Sequence, residues 1–211
     1  MRNLALICVL AAGSITFAWA LSADAHEREG VLQVSTGVIS LPALVSGTTG
    51  HDLAPAAMAA IAGEYNVHDD IALRVSAGYA YGLTGTNAGV ATVQDRSGRF
   101  TVVQDAVPLF AGVRFDSRTW LLPLTMSLIA EGGALVVMQS ARTLSAGSLS
   151  YGLPLGPHTV AAGAVNLTLG ASLRVTDQVR IGLDPSLLLL AWNGLHVGFT
   201  VALSFAFMRF M

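Results

Sequence analysis

Few residues of this chain could carry out chemistry, and the first to weigh are three histidines, His51, His158 and His196, widely separated along the sequence. A nucleophilic active site needs nucleophile, base and orienting group within hydrogen-bond reach of one another. His158 is followed by Thr159-Val160 and His196 by Val197-Gly198, so no His-x-Ser arrangement occurs and spacing fixes no serine or acid beside a histidine. The three could meet around a metal only through a fold that spacing does not show. Asp52, Asp95 and the scattered oxygens near them are too sparse for a calcium loop. The expectation is no catalytic residue, no cofactor and no metal site. A second set, Glu64, Arg74, Arg114, Glu131, Arg174, Arg180 and Asp184, has the chemistry of ion pairs, and what it does depends on the elements that hold it.

Those elements are set by a chain that is 53% hydrophobic and 11% charged, with a mean hydropathy of +0.62. Soluble domains average about 25% charged residues, so this chain lacks the charge to cover a water-soluble globule. The net charge is −2 and all 11 basic residues are arginine, scattered without a basic stripe, which excludes nucleic acid as a partner. At the N-terminus Arg2 precedes an apolar run from Leu4 to Ala20, and Ala23-Asp24-Ala25 has the small-x-small form of a signal-peptidase site. We expect residues 1–25 to be a cleaved signal peptide, with Ala18-Trp19-Ala20 as the alternative cut, and residues 26–211 to be one folded domain. Cys8, the single cysteine, lies inside the apolar run, so the mature chain has no thiolate chemistry.

A membrane helix needs roughly 20 uninterrupted apolar residues. The two nearest approaches, Trp120 to Met138 and Leu155 to Leu173, are broken by Pro123, Glu131 and Gly132-Gly133, and by Pro157, His158 and Asn166. A period of two fits better. Val197, Phe199, Val201, Leu203, Phe205 and Phe207 alternate with small or polar residues, and so do Leu73, Val75, Ala77, Tyr79 and Tyr81. One face suits hydrocarbon and the other a crowded interior, which is the pattern of a transmembrane barrel. Eight such segments run near 30–40, 57–67, 71–83, 100–115, 120–137, 158–175, 179–191 and 195–210. Their links alternate long and short, with 41–56, 84–99 and 139–157 long, and 68–70, 116–119 and 176–178 short. Trp192-Asn193-Gly194 closes the series. The expected fold is all-β, an eight-stranded antiparallel up-and-down transmembrane β-barrel with both termini at the short-turn end.

On strand count, link lengths and the alternating terminus Phe205-Ala206-Phe207-Met208-Arg209-Phe210-Met211, residues 29 to 211 resemble the small eight-stranded outer-membrane barrels, the group of the OmpA membrane domain and OmpX. The resemblance implies an outer-membrane location, outer-membrane lipids and lipopolysaccharide around the belt, handling by the assembly machinery, and a monomer with a structural or surface-interaction role. A narrow channel for small solutes and an outer-leaflet lipid-modifying enzyme are the alternatives.

Parity then places the ionic set in the lumen. A three-residue turn at 68–70 puts Val67 opposite Ile71 and Glu64 opposite Arg74; one at 176–178 sets Arg174 against Arg180, with Asp184 and Glu29 as candidate acids to relieve the repulsion. Arg114 and Glu131 also point inward. An eight-stranded interior is just wide enough for side chains to fill, so these residues are read as a structural polar core. The excess of arginine at the turn end, and the inward Gly37, Gly78, Gly112, Gly170, Gly182 and Gly198, would instead suit an anion-preferring pore. Tyr65, Phe115, Trp120 and Phe207 mark one aromatic girdle, and Tyr79, Tyr81 and Phe199 the other. Pro108, Pro123 and Pro185 each remove a ladder donor. Leu187 to Leu190 loses the alternation and suggests a bulge, while Asp105 and Arg209 fall on the lipid-facing parity near strand ends.

Overall fold

A computed structural model describes residues 30–42, 54–68, 70–85, 90–93, 96–118, 124–146, 149–152, 159–176 and 178–209. Among them are ten strands and no helix: β1 Gly30–Ser40, β2 Ala56–His68, β3 Ile71–Gly85, β4 Val90–Val93, β5 Arg96–Arg118, β6 Leu124–Ala146, β7 Leu149–Gly152, β8 Thr159–Arg174, β9 Val179–Ala191 and β10 Leu195–Arg209. Eight of them close into an antiparallel ring, β1-β2-β3-β5-β6-β8-β9-β10, with β1 returning to β10 from Gly30↔Arg209 to Ser40↔Phe199. Closure leaves no open edge, so every strand of the ring has a hydrogen-bonding neighbour on both sides where lipid offers none.

Alternation decides which side chains meet lipid. Val34, Leu73, Phe115, Leu169, Val197 and Phe205 stand on the outer face, between 40% and 64% exposed. Bare apolar surface of that extent is unstable in water and suited to hydrocarbon. The aromatic girdles fall as expected where they are described, with Phe115 and Phe207 exposed at the turn end and Tyr81 and Phe199 at the other; Trp120 lies outside the described residues.

Four expectations are corrected. First, β5 and β6 each run 23 residues rather than 100–115 and 120–137. Much of the two expected long links is ribbon: β5 and β6 stay paired to Arg99↔Ser145, and β4 and β7 flank them. Strand pairing needs only a partner backbone, not the lipid belt that the hydrophobic pattern tracks. Second, β9 has no bulge, since its register with β10 is unbroken from Leu195↔Ala191 to Phe207↔Val179. Alternation is lost in residue type only, because Leu188 and Leu190 point into an apolar interior and Leu187 out to lipid. Third, the register shifts lie elsewhere. Val67 is skipped, so His68 rather than Val67 opposes Ile71 while Glu64 still opposes Arg74. A second shift falls between Ala80 and Leu83, where Gly82 holds φ at +73°, the left-handed region that favours glycine. Fourth, Asp105 is not presented to the interface but is 6% exposed. The bulge frees the Gly82 N–H from the ladder, and Asp105 Oδ1 accepts it at 2.9 Å.

The interior is layered. Toward the loop end it is apolar, built on Ile39, Leu41, Leu83, Leu135, Leu188 and Leu190, with Trp192 packed against it. Toward the turn end it is polar and charged. A closed barrel should migrate faster unboiled than boiled on a denaturing gel. Leu169→Arg, placing charge on the lipid face, should destabilise the barrel in vesicles by about 2–4 kcal/mol, read from equilibrium urea midpoints. A change within about 0.5 kcal/mol, typical of an ordinary surface position, would show that Leu169 does not face lipid.

Candidate functional site

Arg74 on β3 sits at the middle of the charged layer. Its guanidinium Nη1 donates to Glu64 on β2, directly opposite, and to Gln33 Oε1 on β1 at 2.5 Å. Its Nε reaches Glu131 Oε1 on β6 at 3.1 Å, although β5 lies between β3 and β6. The intervening residue is Gly112, whose partners are Arg74 on one side and Glu131 on the other. A Cβ at Gly112 would run into the backbone of Ala130 and Glu131, so the position must be bare for β5 to lie this close to β6.

The network spreads from there. Arg114 Nη1 lies 3.2 Å from both Glu64 oxygens, and its Nε donates to Asp116 Oδ1 at 2.6 Å. Asp116 Oδ2 in turn faces Arg180 Nη1 at 3.6 Å. Glu131 also accepts from Ser76 Oγ and from Asn166 Nδ2, each at 2.8 Å, and Gln33 Nε2 donates to Asp184 Oδ2 at 2.8 Å. Glu64, Arg114 and Glu131 are each at most 6% exposed. Seven of the eight ring strands thus contribute a bonded side chain; on β10, Thr200 pairs hydroxyl to hydroxyl with Ser186 of β9.

Of the residues expected in the lumen, Glu64, Arg74, Arg114 and Glu131 are brought together. Arg174 does stand opposite Arg180, but the expected relief differs. Arg180 faces Asp116, and Asp184 is held by Gln33 instead. Arg174 is exposed at the turn end, and Glu29 lies outside the described residues. The expected strand bounds put Asp116 in a short link; because β5 continues to Arg118, the same parity that turns Arg114 inward turns Asp116 inward too. It adds an acid at the turn end, where the pore reading counted an excess of arginine. Gln33, Ser76 and Asn166 were missed because only charged residues were followed, although all three lie on inward positions. Nor do the inward glycines leave open space. A Cβ at Gly37 would meet the backbone of Val201, and at Gly170 and Gly182 the side chains of Asp184 and Ser204.

Between the charged and apolar layers is a cavity of about 70 Å³. Ile39, Met58, Phe110 and Leu188 line it on the apolar side, and Arg74, Glu131, Asn166 and Asp184 on the polar side. His196 Nε2 is 2.9 Å from the Trp192 carbonyl oxygen; His51 and His158 lie outside the described residues. Among the described residues no group of three or more His, Cys, Asp or Glu could hold a metal.

The chain is therefore a small eight-stranded antiparallel barrel of the outer-membrane type, with its polar residues gathered inside. No protein-family profile matches it, and no curated protein matches its sequence. It is similar in fold to Neisserial surface protein A at 11% identity, over 86% of this chain and 99% of that one, with a TM-score of 0.49. It is similar also to the attachment invasion locus protein Ail of Yersinia pestis, at 10% identity over 85% and 98%, with a TM-score of 0.47. The N-terminal β-barrel domain of Pseudomonas aeruginosa OprF gives 12% identity over 84% and 97%, with a TM-score of 0.43. The fold assignment rests on this chain's own strand pairing.

Removing one partner of a buried ion pair strands the other charge and costs about 3–5 kcal/mol, whereas replacing both with apolar groups is often neutral. Arg74→Met should therefore destabilise the barrel by about that much, and a triple change that also makes Glu64→Leu and Glu131→Leu should cost less than the three single losses added together, with Arg114 keeping Asp116 as its partner. Urea unfolding in vesicles measures both. Simple addition of the three single losses would show that the residues do not share a bond.

Proposed function

We propose that the protein is a monomeric outer-membrane barrel of a Gram-negative-type envelope, exported by a signal at residues 1–25, with a structural or surface-interaction role and a largely plugged lumen. The observation that carries this reading is the stacking of two filled layers, the charge network and the apolar layer over it, with about 70 Å³ of space between them. An ion crossing would have to break paired charges and then pass an apolar stretch, and both steps are expensive in low dielectric. Lipids and lipopolysaccharide would surround the apolar belt. The assembly machinery would read the terminal strand, whose lipid-facing phase includes Phe205 and Phe207.

The surface role draws on the ribbon above the barrel. β6 leaves β8 after Met138↔Thr159 but continues with β5, and with β4 and β7 it forms a four-stranded sheet at the loop end. Rigid strands of this kind can hold exposed loops in place for a partner. Of the three histidines that the enzyme alternative would draw on, His196 contacts the Trp192 carbonyl oxygen.

Planar bilayers separate the readings. Purified wild-type barrel should show no stable unitary conductance; stable steps abolished by changing Arg174 or Arg180 would overturn the plugged lumen and establish a channel. Lipid A mass spectra should be unchanged on expression, and a new modified species would establish the enzyme.

A further inference from the structure

Asp184 stands apart within the charge network, where the cavity begins. Among the described residues the network's bonds join three arginines, Arg74, Arg114 and Arg180, to four carboxylates, Glu64, Asp116, Glu131 and Asp184. Asp184 is the acid without an arginine: its one bond comes from the neutral amide of Gln33, and its Oδ1 leans over the bare backbone of Gly170, 2.7 Å from where a Cβ would stand. Asp184 is half-buried in the lumen, where a cation beside the carboxylate would stabilise its charge.

The wall around Asp184 is made of hard oxygen donors. Thr168 on β8, Ser186 on β9 and Thr200 on β10 stand in one row across three adjacent strands, and all three line the cavity with Asp184 and Asn166. Asn166 gives its amide N–H groups to Glu131 and Thr168, while its Oδ1 is buried with no donor facing it. This patch therefore combines an acceptor lacking a donor, a carboxylate bonded only to a neutral amide, neutral hydroxyls and a small, partly open cavity. Arg74, the cation nearest in the lining, belongs to the opposite wall and is already shared between Glu64 and Glu131.

We propose that the cavity is a binding site for one small monovalent cation of the sodium or potassium class, with Asp184 as its anionic ligand and Asn166 Oδ1 and the neighbouring hydroxyls as neutral ones. Oxygen-only donors suit alkali and alkaline-earth ions rather than softer metals. One carboxylate among otherwise neutral donors suits a monovalent ion rather than a divalent one. The bound ion gives Asp184 a cation at a position that no arginine of the network occupies.

The test uses the whole barrel in detergent micelles, with its unfolding midpoint followed against sodium or potassium chloride at constant ionic strength, and choline chloride, whose cation is too large for the cavity, as the balance. The midpoint should rise by about 3 °C for each tenfold increase in the small cation above its dissociation constant. The rise should vanish in Asp184→Asn and persist in Asp70→Asn, an exposed turn change. Equal midpoints in choline and in the small cations would overturn the proposal, as would a rise that Asp184→Asn leaves intact. Should Asp184→Asn fail to fold, wild-type crystals soaked in rubidium settle the point. An anomalous peak beside the Asp184 carboxylate supports the site, and its absence, with only water there or a proton on Asp184, overturns it.

Discussion

Arg74 is the group on which the interior depends. One guanidinium is bonded to side chains from β1, β2 and β6, so a single residue ties β3 to two strands on one side of it and, over β5, to one on the other. In a medium of low dielectric each of these bonds is stronger than it would be in water, and each would leave a stranded charge if lost. The same electrostatics that makes the arrangement costly to assemble makes it specific. A one-residue slip of β3 would turn Arg74 outward to lipid, leaving Glu64 with Arg114 alone and Glu131 without an arginine.

Much else follows from accommodating that side chain. Gly112, in register between Arg74 and Glu131, must be bare because a Cβ there would strike the next strand's backbone. Glu64, shared by Arg74 and Arg114, passes the network toward the turn end, where Asp116 links Arg114 to Arg180. Above the network the lumen turns apolar. Leu188, Leu190, Leu135 and Ile39 are almost fully buried there, filling by packing what the lower half fills by pairing. Gln104 and Gln139, directly opposite each other in that upper region, are buried with amide groups unbonded, and no partner for them is evident among the described residues. The low charge of the chain thus reflects two demands, a lipid-facing belt free of charge and an interior half closed by hydrocarbon.

The barrel was legible in the sequence because a period of two survives in strands whose two faces differ, as in β3 and β10. It failed where both faces are apolar. Around Leu187 to Leu190 the pattern cannot tell lipid outside from packed hydrocarbon inside, so an unbroken strand looked irregular. It failed again where strands outrun the membrane, since the backbone pairing of β5 with β6 above the belt leaves no hydrophobic signature. The Glu64 and Arg74 pair could be placed from turn length alone, even though the turn itself holds a bulge. The bond from Arg74 to Glu131 could not, because it joins strands that are not neighbours and depends on a glycine between them. Asp116 was hidden by a misplaced strand end rather than by any lack of signal.

The most direct test is a solid-state NMR measurement of nitrogen-to-carbon distances from the Arg74 guanidinium to the Glu64 and Glu131 carboxylates, with the protein in lipid bilayers. The account predicts both carboxylates within bonding distance of Arg74 in the same molecule. Contact with only one of them, or a guanidinium averaged by exchange between the two, would contradict it.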